Sequence, residues 1–510
     1  MPFLLLLCLL AVCLPLDWPA PPAWVGRDGS LLLTSLLTIA LLLASSVIAQ
    51  RARYRLPREP DARERIGQQY GTARTWFFFV NLFSLGVCLL VFGWGDAATE
   101  LGSITYANHS FLIPGGELLR LAPFLIVQIG SWCFYFDADR EFHALSHDPL
   151  KRDQFWTRRE YVLFLFRQQL ILVFAPLILL MAQQGVERAY PEILQQPWLP
   201  FASLMVLPTF LIFFPLLLPT LLGLRSLPAG PIRDRFEANA RRLEFRYSRL
   251  YLWDTRNNVA NAMVVGIIPW IRYVVFTDRL LDELADSEVD AVFGHEIGHA
   301  RHGHMLYYAL FLMLSFVLMG GLVQIARMMD FGPVQEMRTL FQVAPVVFMG
   351  AYMFIAFGFI SRRCERQADV FGSRAGSCSS TICYGHDATT ILPPRGEGLC
   401  TTGIESFIGA LRRVEDINGM TRAPALWRGT GVIGKLNWVF RLLTGWLHTW
   451  QHSTIPKRIA FLERIAREPE VERRFQRRVW MLRCAILLAL VGSLVGLALW
   501  QGWGILLLAM

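Results

Sequence analysis

The chain has 510 residues, of which 54% are hydrophobic and 17% charged, with a formal net charge of +9 and a mean hydropathy of +0.39. Soluble domains carry about 25% charged residues, and the apolar residues here gather into runs about twenty long, the length that crosses a bilayer as helix. A soluble enzyme, a disulfide-stapled secreted domain and a disordered tail protein are excluded, and a multi-span membrane protein with polar segments is expected.

In chain order, the first apolar run, Pro2 to Leu16, reads as an uncleaved signal anchor or a signal peptide. Spans are expected at 31–49, 76–94, 118–136 and 161–182, the last interrupted by Arg167, Gln168 and Gln169. Arg167 lies close enough to the basic end of its span to snorkel. The run 199–224 contains Pro200, Pro208, Pro215 and Pro219, so a kink or break is expected there. A polar stretch leads to His304, two more spans follow at 305–326 and 343–360, and a second polar stretch precedes the last apolar run from Val479. The expected organisation is therefore an N-terminal transmembrane region over 1–224 with about six spans, a first polar part over 225–304, two spans over 305–360, a second polar part over 361–478 and a final span over 479–510.

Arginine placement orients these spans. Arg51, Arg53, Arg55, Arg58, Arg63, Arg65 and Arg74 crowd one loop, the next, Gly95 to Glu117, has no Lys or Arg, and Arg140, Lys151, Arg152, Arg158 and Arg159 follow in the next. By the positive-inside rule both large polar stretches fall on the cytoplasmic side. The same alternation assigns the basic excess to membrane orientation, so the bilayer is a partner and nucleic acid is not. The nine scattered cysteines fit reduced or buried thiols.

The sharpest chemical signal is His295-Glu296-Ile297-Gly298-His299. Val289, Val292, Phe293 and Ile297 form an apolar stripe, and Ser287 with Asp290 has capping-box spacing, so a helix is expected. Residues four apart share a helical face, which lets His295 and His299 converge on one zinc ion with Glu296 beside it as a general base. A catalytic zinc needs a third protein ligand. Ser361-Arg362-Arg363-Cys364-Glu365-Arg366-Gln367-Ala368-Asp369 offers Glu365 as that ligand, with Asp369 one turn on to orient a histidine. His302 competes for the same place. At about 1.5 Å rise per residue it lies roughly 10 Å along the helix from His295, beyond a metal held at about 2.0–2.1 Å.

HEIGHARHGH and SRRCERQAD together resemble the integral-membrane zinc metallopeptidases that include the CAAX prenyl endopeptidases and the HtpX-type quality-control proteases. The resemblance runs from about Asn257 to Gly372 and implies a mainly helical, multi-span membrane protein with a cytoplasmic-side gluzincin domain, one catalytic Zn2+ and a peptide or protein substrate. It implies that Asn261 and Ala262 lie on an edge strand along the substrate. It further implies that His452 and Arg458, in His452-Ser453-Thr454-Ile455-Pro456-Lys457-Arg458-Ile459, support catalysis, although Ser453 stands where the family usually has proline. The function expected is a zinc endopeptidase in membrane-protein quality control or in peptide and protein processing, multi-pass in a bacterial inner membrane. CAAX-type processing of prenylated proteins and a zincin-type sensor are the alternatives.

Weaker signals complete the survey. Cys378, Cys383, His386 and Cys400 could hold a second, structural zinc, although their spacing matches no recognised pattern. His143 and His147 lack a third partner, and Asn108-His109-Ser110 matches a glycosylation acceptor.

Overall fold

The structure, a computed structural model, describes residues 20–106, 109–112, 116–146, 155–169, 199–328, 335–377, 399–417 and 453–501, with Val12 and a few positions between 181 and 196. The chain divides into two units, Met1–Gln195 with Arg422–Gly429, and Gln196–Thr421 with Thr430–Met510.

The first unit is built on α1 (Gly26–Arg55), α2 (Arg63–Leu90), the short α3 (Trp94–Leu101), a hairpin of β1 (Ser103–Tyr106) and β2 (His109–Leu112), α4 (Ala122–Ser146) and α5 (Arg158–Gln169). Helix α1 inverts the pattern of a soluble helix. Leu32, Leu36, Ile39, Leu43 and Val47 point outward, while Ser30, Thr34 and Ser45 are buried. Small and polar residues let helices approach closely where the surroundings are as apolar as leucine. A half-buried charge pair between α2 and α4 is satisfied on both sides: Arg74 Nη1 donates to both Asp139 oxygens at 2.8 and 3.0 Å, and the Tyr161 hydroxyl of α5 donates to the same carboxylate.

The second unit opens with the proline-rich run. Helix α6 (Leu199–Phe213) contains Pro208, a single 3-10 turn follows at Phe214–Leu216, and α7 (Leu218–Leu222) has Pro219 in its first turn. Each proline removes a backbone donor, and the run is broken as its composition predicts. A four-stranded sheet then forms in the order β3 (Arg225–Ser226), β4 (Arg249–Trp253), β6 (Tyr273–Thr277), β5 (Ala262–Val265), with β4 and β6 parallel and the other pairs antiparallel. Helices α8 (Pro231–Arg242), α9 (Asp278–Glu283) and α10 (Asp286–Arg301) accompany it. One sheet face is covered by Phe236 of α8 and by Val289, Phe293 and Ile297 of α10, all buried, with Phe236 stacked on Phe276 at 4.4 Å.

Helix α10 starts two residues earlier than the Ser287–Asp290 spacing indicates. Ala285 is its N-cap, and Glu288 reaches back to accept the Ala285 N–H at 2.9 Å. The longer glutamate side chain spans that gap, so the Ser287 cap expected from sequence does not form. At its other end His302 closes the helix and Gly303 takes φ +65°, a left-handed stop. Helix α11 (His304–Met328) then leaves at a bend of 46°.

Helix α12 (Gln335–Ala375) is continuous over 41 residues, so the expected division at 360/361 falls inside one helix. Glu365 and Asp369 ride on the polar extension of the same helix that contains the apolar run 343–360. Helices α13 (Thr401–Ile417) and α14 (Ile455–Arg467) close a second core through Phe407, Leu411, Leu462 and Ile465, and α15 (Pro469–Gln501) runs along α11. Among the described residues four helical stretches, Gly26–Arg55, Pro60–Leu90, Gly116–Leu145 and Glu470–Gly496, are long and apolar enough to cross a membrane, or five with the bent α10–α11 pair.

Candidate metal centre

Burial of Val289, Phe293 and Ile297 against the sheet rotates α10 so that His295 and His299 emerge on the face toward α12. The helices meet at glycines. A Cβ on Gly294 would lie 2.5 Å from the Ala375 Cβ, one on Gly298 3.0 Å from the Ala368 Cα, and one on Gly372 3.1 Å from the His295 nitrogen. This close crossing brings Glu365 over the two histidines. His295 Nε2 and His299 Nε2 are 3.2 Å apart, and the Glu365 carboxylate lies 3.7 and 3.6 Å from them. Their ligand atoms all fall within 4.8 Å of one another, and His302 is not in this group.

The far sides of both rings are occupied. His295 Nδ1 is 3.0 Å from Asp369 Oδ1, and His299 Nδ1 is 3.0 Å from His304 Nδ1. His304 Nε2 in turn lies 3.1 Å from Gln367 Oε1, which also accepts from Arg483 Nη2 at 2.6 Å. With the Nδ1 protons directed at Asp369 and His304, both Nε2 lone pairs face each other and the Glu365 carboxylate. Such a cluster repels itself unless a cation lies between. Two nitrogens tetrahedrally bound at about 2.05 Å would be about 3.3 Å apart, close to the separation seen, so the donor set fits zinc.

Asp369 is fully buried. Arg458, in the first turns of α14, donates to it from Nε at 2.9 Å and from Nη2, and its Nη1 lies 3.7 Å from Glu365. Burial alone raises the Asp369 carboxyl; Arg458 and His295 outweigh it and hold the group below its ordinary value. The carboxylates of Glu296, Glu365 and Asp369 gather beside the two histidines, a donor set that a divalent cation would neutralise.

Glu296 is positioned from the sheet. The Val264 N–H of edge strand β5 donates to Glu296 Oε2 at 3.0 Å. Asn261 precedes this strand, bonded to Thr277 through its main chain and to the Ala262 N–H through Oδ1 at 3.0 Å. Ala262 pairs with Phe276 on β6, so its other edge is unpaired within the sheet.

Thus His295, Glu296, His299, Glu365, Asp369 and Arg458 are brought together, with Asn261 and Ala262 on the adjacent edge strand. His452 lies outside the described residues. Ser453 takes φ +64°, a value closed to proline, whose ring locks φ near −65°; the departure from the family residue therefore changes the backbone here. Cys378, Cys383, His386, Asn108 and His147 also lie outside the described residues. Cys400 is buried, its Sγ accepting the Gly403 N–H at 3.3 Å at the start of α13. His143 is buried beside Phe155. Sequence reasoning missed Val264, His304, Gln367 and Arg483. His304 and Gln367 stand inside HEIGHARHGH and SRRCERQAD themselves, whereas Val264 and Arg483 lie outside both.

A mainly helical chain with outward-facing apolar helices and an HExxH helix crossed by a glutamate-bearing helix defines a membrane protein of gluzincin type. Residues 226–465, a little under half of the chain, match Peptidase family M48. It is 28% identical over 173 residues to the probable CAAX prenyl protease 1 of Schizosaccharomyces pombe, covering 32% of this chain and 36% of that protein. It is 28% identical over 206 residues to a CAAX prenyl protease 1 homolog of Arabidopsis thaliana, covering 38% and 47%. These matches span less than half the length of either relative. Among solved structures, the crystal structure of S. mikatae Ste24p aligns with 87% of this chain and 99% of its own at 16% identity and a TM-score of 0.47.

Proposed function

We propose that the protein is a zinc-dependent membrane endopeptidase. The observation that carries this reading is the pair of Nε2 lone pairs and the Glu365 carboxylate facing one point, with Glu296 alongside and bonded to an edge strand. Zinc, when bound by His295, His299 and Glu365, would supply Lewis-acid polarisation of a peptide carbonyl and of a water molecule. Glu296 takes the water proton and returns it to the leaving amine. Asp369, fixed by Arg458, holds His295 in the tautomer that leaves its Nε2 unprotonated, and His304 does the same for His299. The open edge of β5 can receive an extended peptide as an added strand. Arg458 acts through Asp369 and Glu365, and His452 is assigned to the developing oxyanion by family resemblance.

The test is Glu296→Gln, which keeps side-chain volume but cannot act as a base. Purified variant protein is expected to retain one zinc per chain and to lose casein cleavage by about 10²-fold or more. Cleavage at the wild-type rate would overturn the assignment. A zincin-type sensor would keep its output in this variant.

The CAAX prenyl protease names of the relatives support a narrower substrate, the carboxy-terminal tail of a lipidated protein. A prenylated CAAX peptide, offered against its unprenylated form and casein, separates this from general membrane-protein quality control. The arginine distribution supports a cytoplasmic-side site.

A further inference from the structure

The β5–β6 hairpin ends in Ile267-Ile268-Pro269-Trp270. Trp270 is 74% exposed, and the three residues before it are half-buried. This tip is a braced structure. Arg272 donates from Nε to the Gly266 carbonyl at 3.1 Å, from Nη2 to Ile267 at 2.6 Å and from Nη1 to Arg246 at 3.1 Å. Gly266 at φ +111° allows the turn, since a Cβ there would lie 2.5 Å from the Ile271 carbonyl oxygen.

Two contacts give the hairpin its direction. Phe276 meets Phe293 at 5.7 Å between ring centroids, and Val264, paired with Val274, meets Glu296. Moving along β6 toward the tip therefore moves along α10 toward its carboxy-terminal end. From Val264 to Ile267 the strand advances about 10 Å, and from Glu296 to His302 the helix advances about 9 Å. The tip thus reaches the level where α10 stops and the apolar α11 starts. Met305, in the first turn of α11, packs against the same core as Val264 and Ile297.

That level carries other marks of a membrane interface. Arg483 of α15 lies over the Tyr307 ring at 4.2 Å, and Trp480, three residues earlier, is 65% exposed. Tryptophan, tyrosine and arginine gather at headgroup depth because each joins an apolar body to a polar end. We propose that the hairpin tip, led by Trp270, seats in the headgroup–acyl boundary of the bilayer that α11 and α15 cross, so that the strand edge beside Glu296 is held at a fixed height above the lipid. This rests on the membrane character of α11 and α15 and is independent of the peptidase assignment.

The test uses the full chain in vesicles of phosphatidylcholine and phosphatidylglycerol, with a benzophenone amino acid in place of Trp270, of Ile268 or, as control, of Ser287 in the first turn of α10. Irradiation at 270 and 268 is expected to give lipid adducts at about tenfold the yield at 287, read by mass spectrometry of the intact chain. An unchanged thermal unfolding midpoint certifies that each labelled chain is folded. A yield at 270 and 268 no higher than at 287 would overturn the proposal. So would crosslinking of both positions to an added peptide in place of lipid, which would assign the tip to substrate.

Discussion

Glu365 and His302 are rivals at the scale of single residues, and geometry separates them. Glu365 is buried and within 3.7 Å of both histidine Nε2 atoms, while His302 is turned toward His304 and Phe371. Removing a direct ligand should cost more than the 10–100-fold in metal affinity typical of outer partners. Glu365→Ala is therefore expected to lose zinc by about 100-fold or more in affinity, and His302→Ala to keep close to one zinc per chain. Metal analysis of the two purified variants checks this, and the reverse pattern would remove Glu365 from the site. His295, Glu296 and His299 could be named from their spacing alone, because i and i+4 share a face in any helix. Asp369 followed from the same rule. His304 and Val264 could not. The first is aimed by a left-handed glycine and a change of helix direction, and the second acts through a main-chain N–H that every residue type possesses.

Between elements, the decisive contact is the crossing of α10 and α12. Gly298 has no room for a side chain, since its Cβ would lie 2.9 Å from the Phe371 Cβ and 3.0 Å from the Ala368 Cα. The Ala368 contact is main chain and cannot rotate away. Gly298→Ala should gain helix propensity of about 1 kcal/mol but force the helices apart, with overpacking costs of about 1–3 kcal/mol. The expected result is a lower Tm and weaker zinc binding, because Glu365 withdraws from the histidines. Gly492→Ala on α15 meets nothing within 4 Å and serves as the control. Thermal unfolding and zinc titration of both variants provide the measurement, and an unchanged zinc affinity in Gly298→Ala would show that the crossing does not set the site. The HEIGH helix itself was legible in its apolar stripe. Its start was not, because a cap made by Glu288 on an alanine leaves no residue-type signature at the cap position.

At the scale of the whole molecule, the arginine-rich turn between α1 and α2 and the segment Gly95 to Glu117, without Lys or Arg, make opposite predictions for the two sides of the membrane. A reporter fused after Arg58 or after Arg412 is expected to behave as cytoplasmic, and one inserted near Thr105 as external. A cytoplasmic signal from the Thr105 position would reverse the orientation and move the candidate centre to the other face.

Composition and periodicity were sufficient, without coordinates, to indicate a helical membrane protein and to put His295 and His299 on one helical face, because apolar run length and helical spacing are local properties of the chain; Glu365 as their partner came with the family resemblance. The break near Pro208, Pro215 and Pro219 was legible for the same reason, since proline acts on its own backbone. The tertiary structure decided what depends on residues far apart. It made the polar extension of α12 continuous with its apolar run, placed Gly294 and Gly298 against Ala368 and Gly372, and supplied Arg458 from α14 to hold two buried carboxylates. It also set Val264 beside Glu296. These contacts join segments separated by 32 to 93 positions in the sequence, and no local spacing rule reaches across them. They form because burying the shared core of α10, α12, α13 and the sheet leaves one close-packed arrangement, and that arrangement aims the side chains.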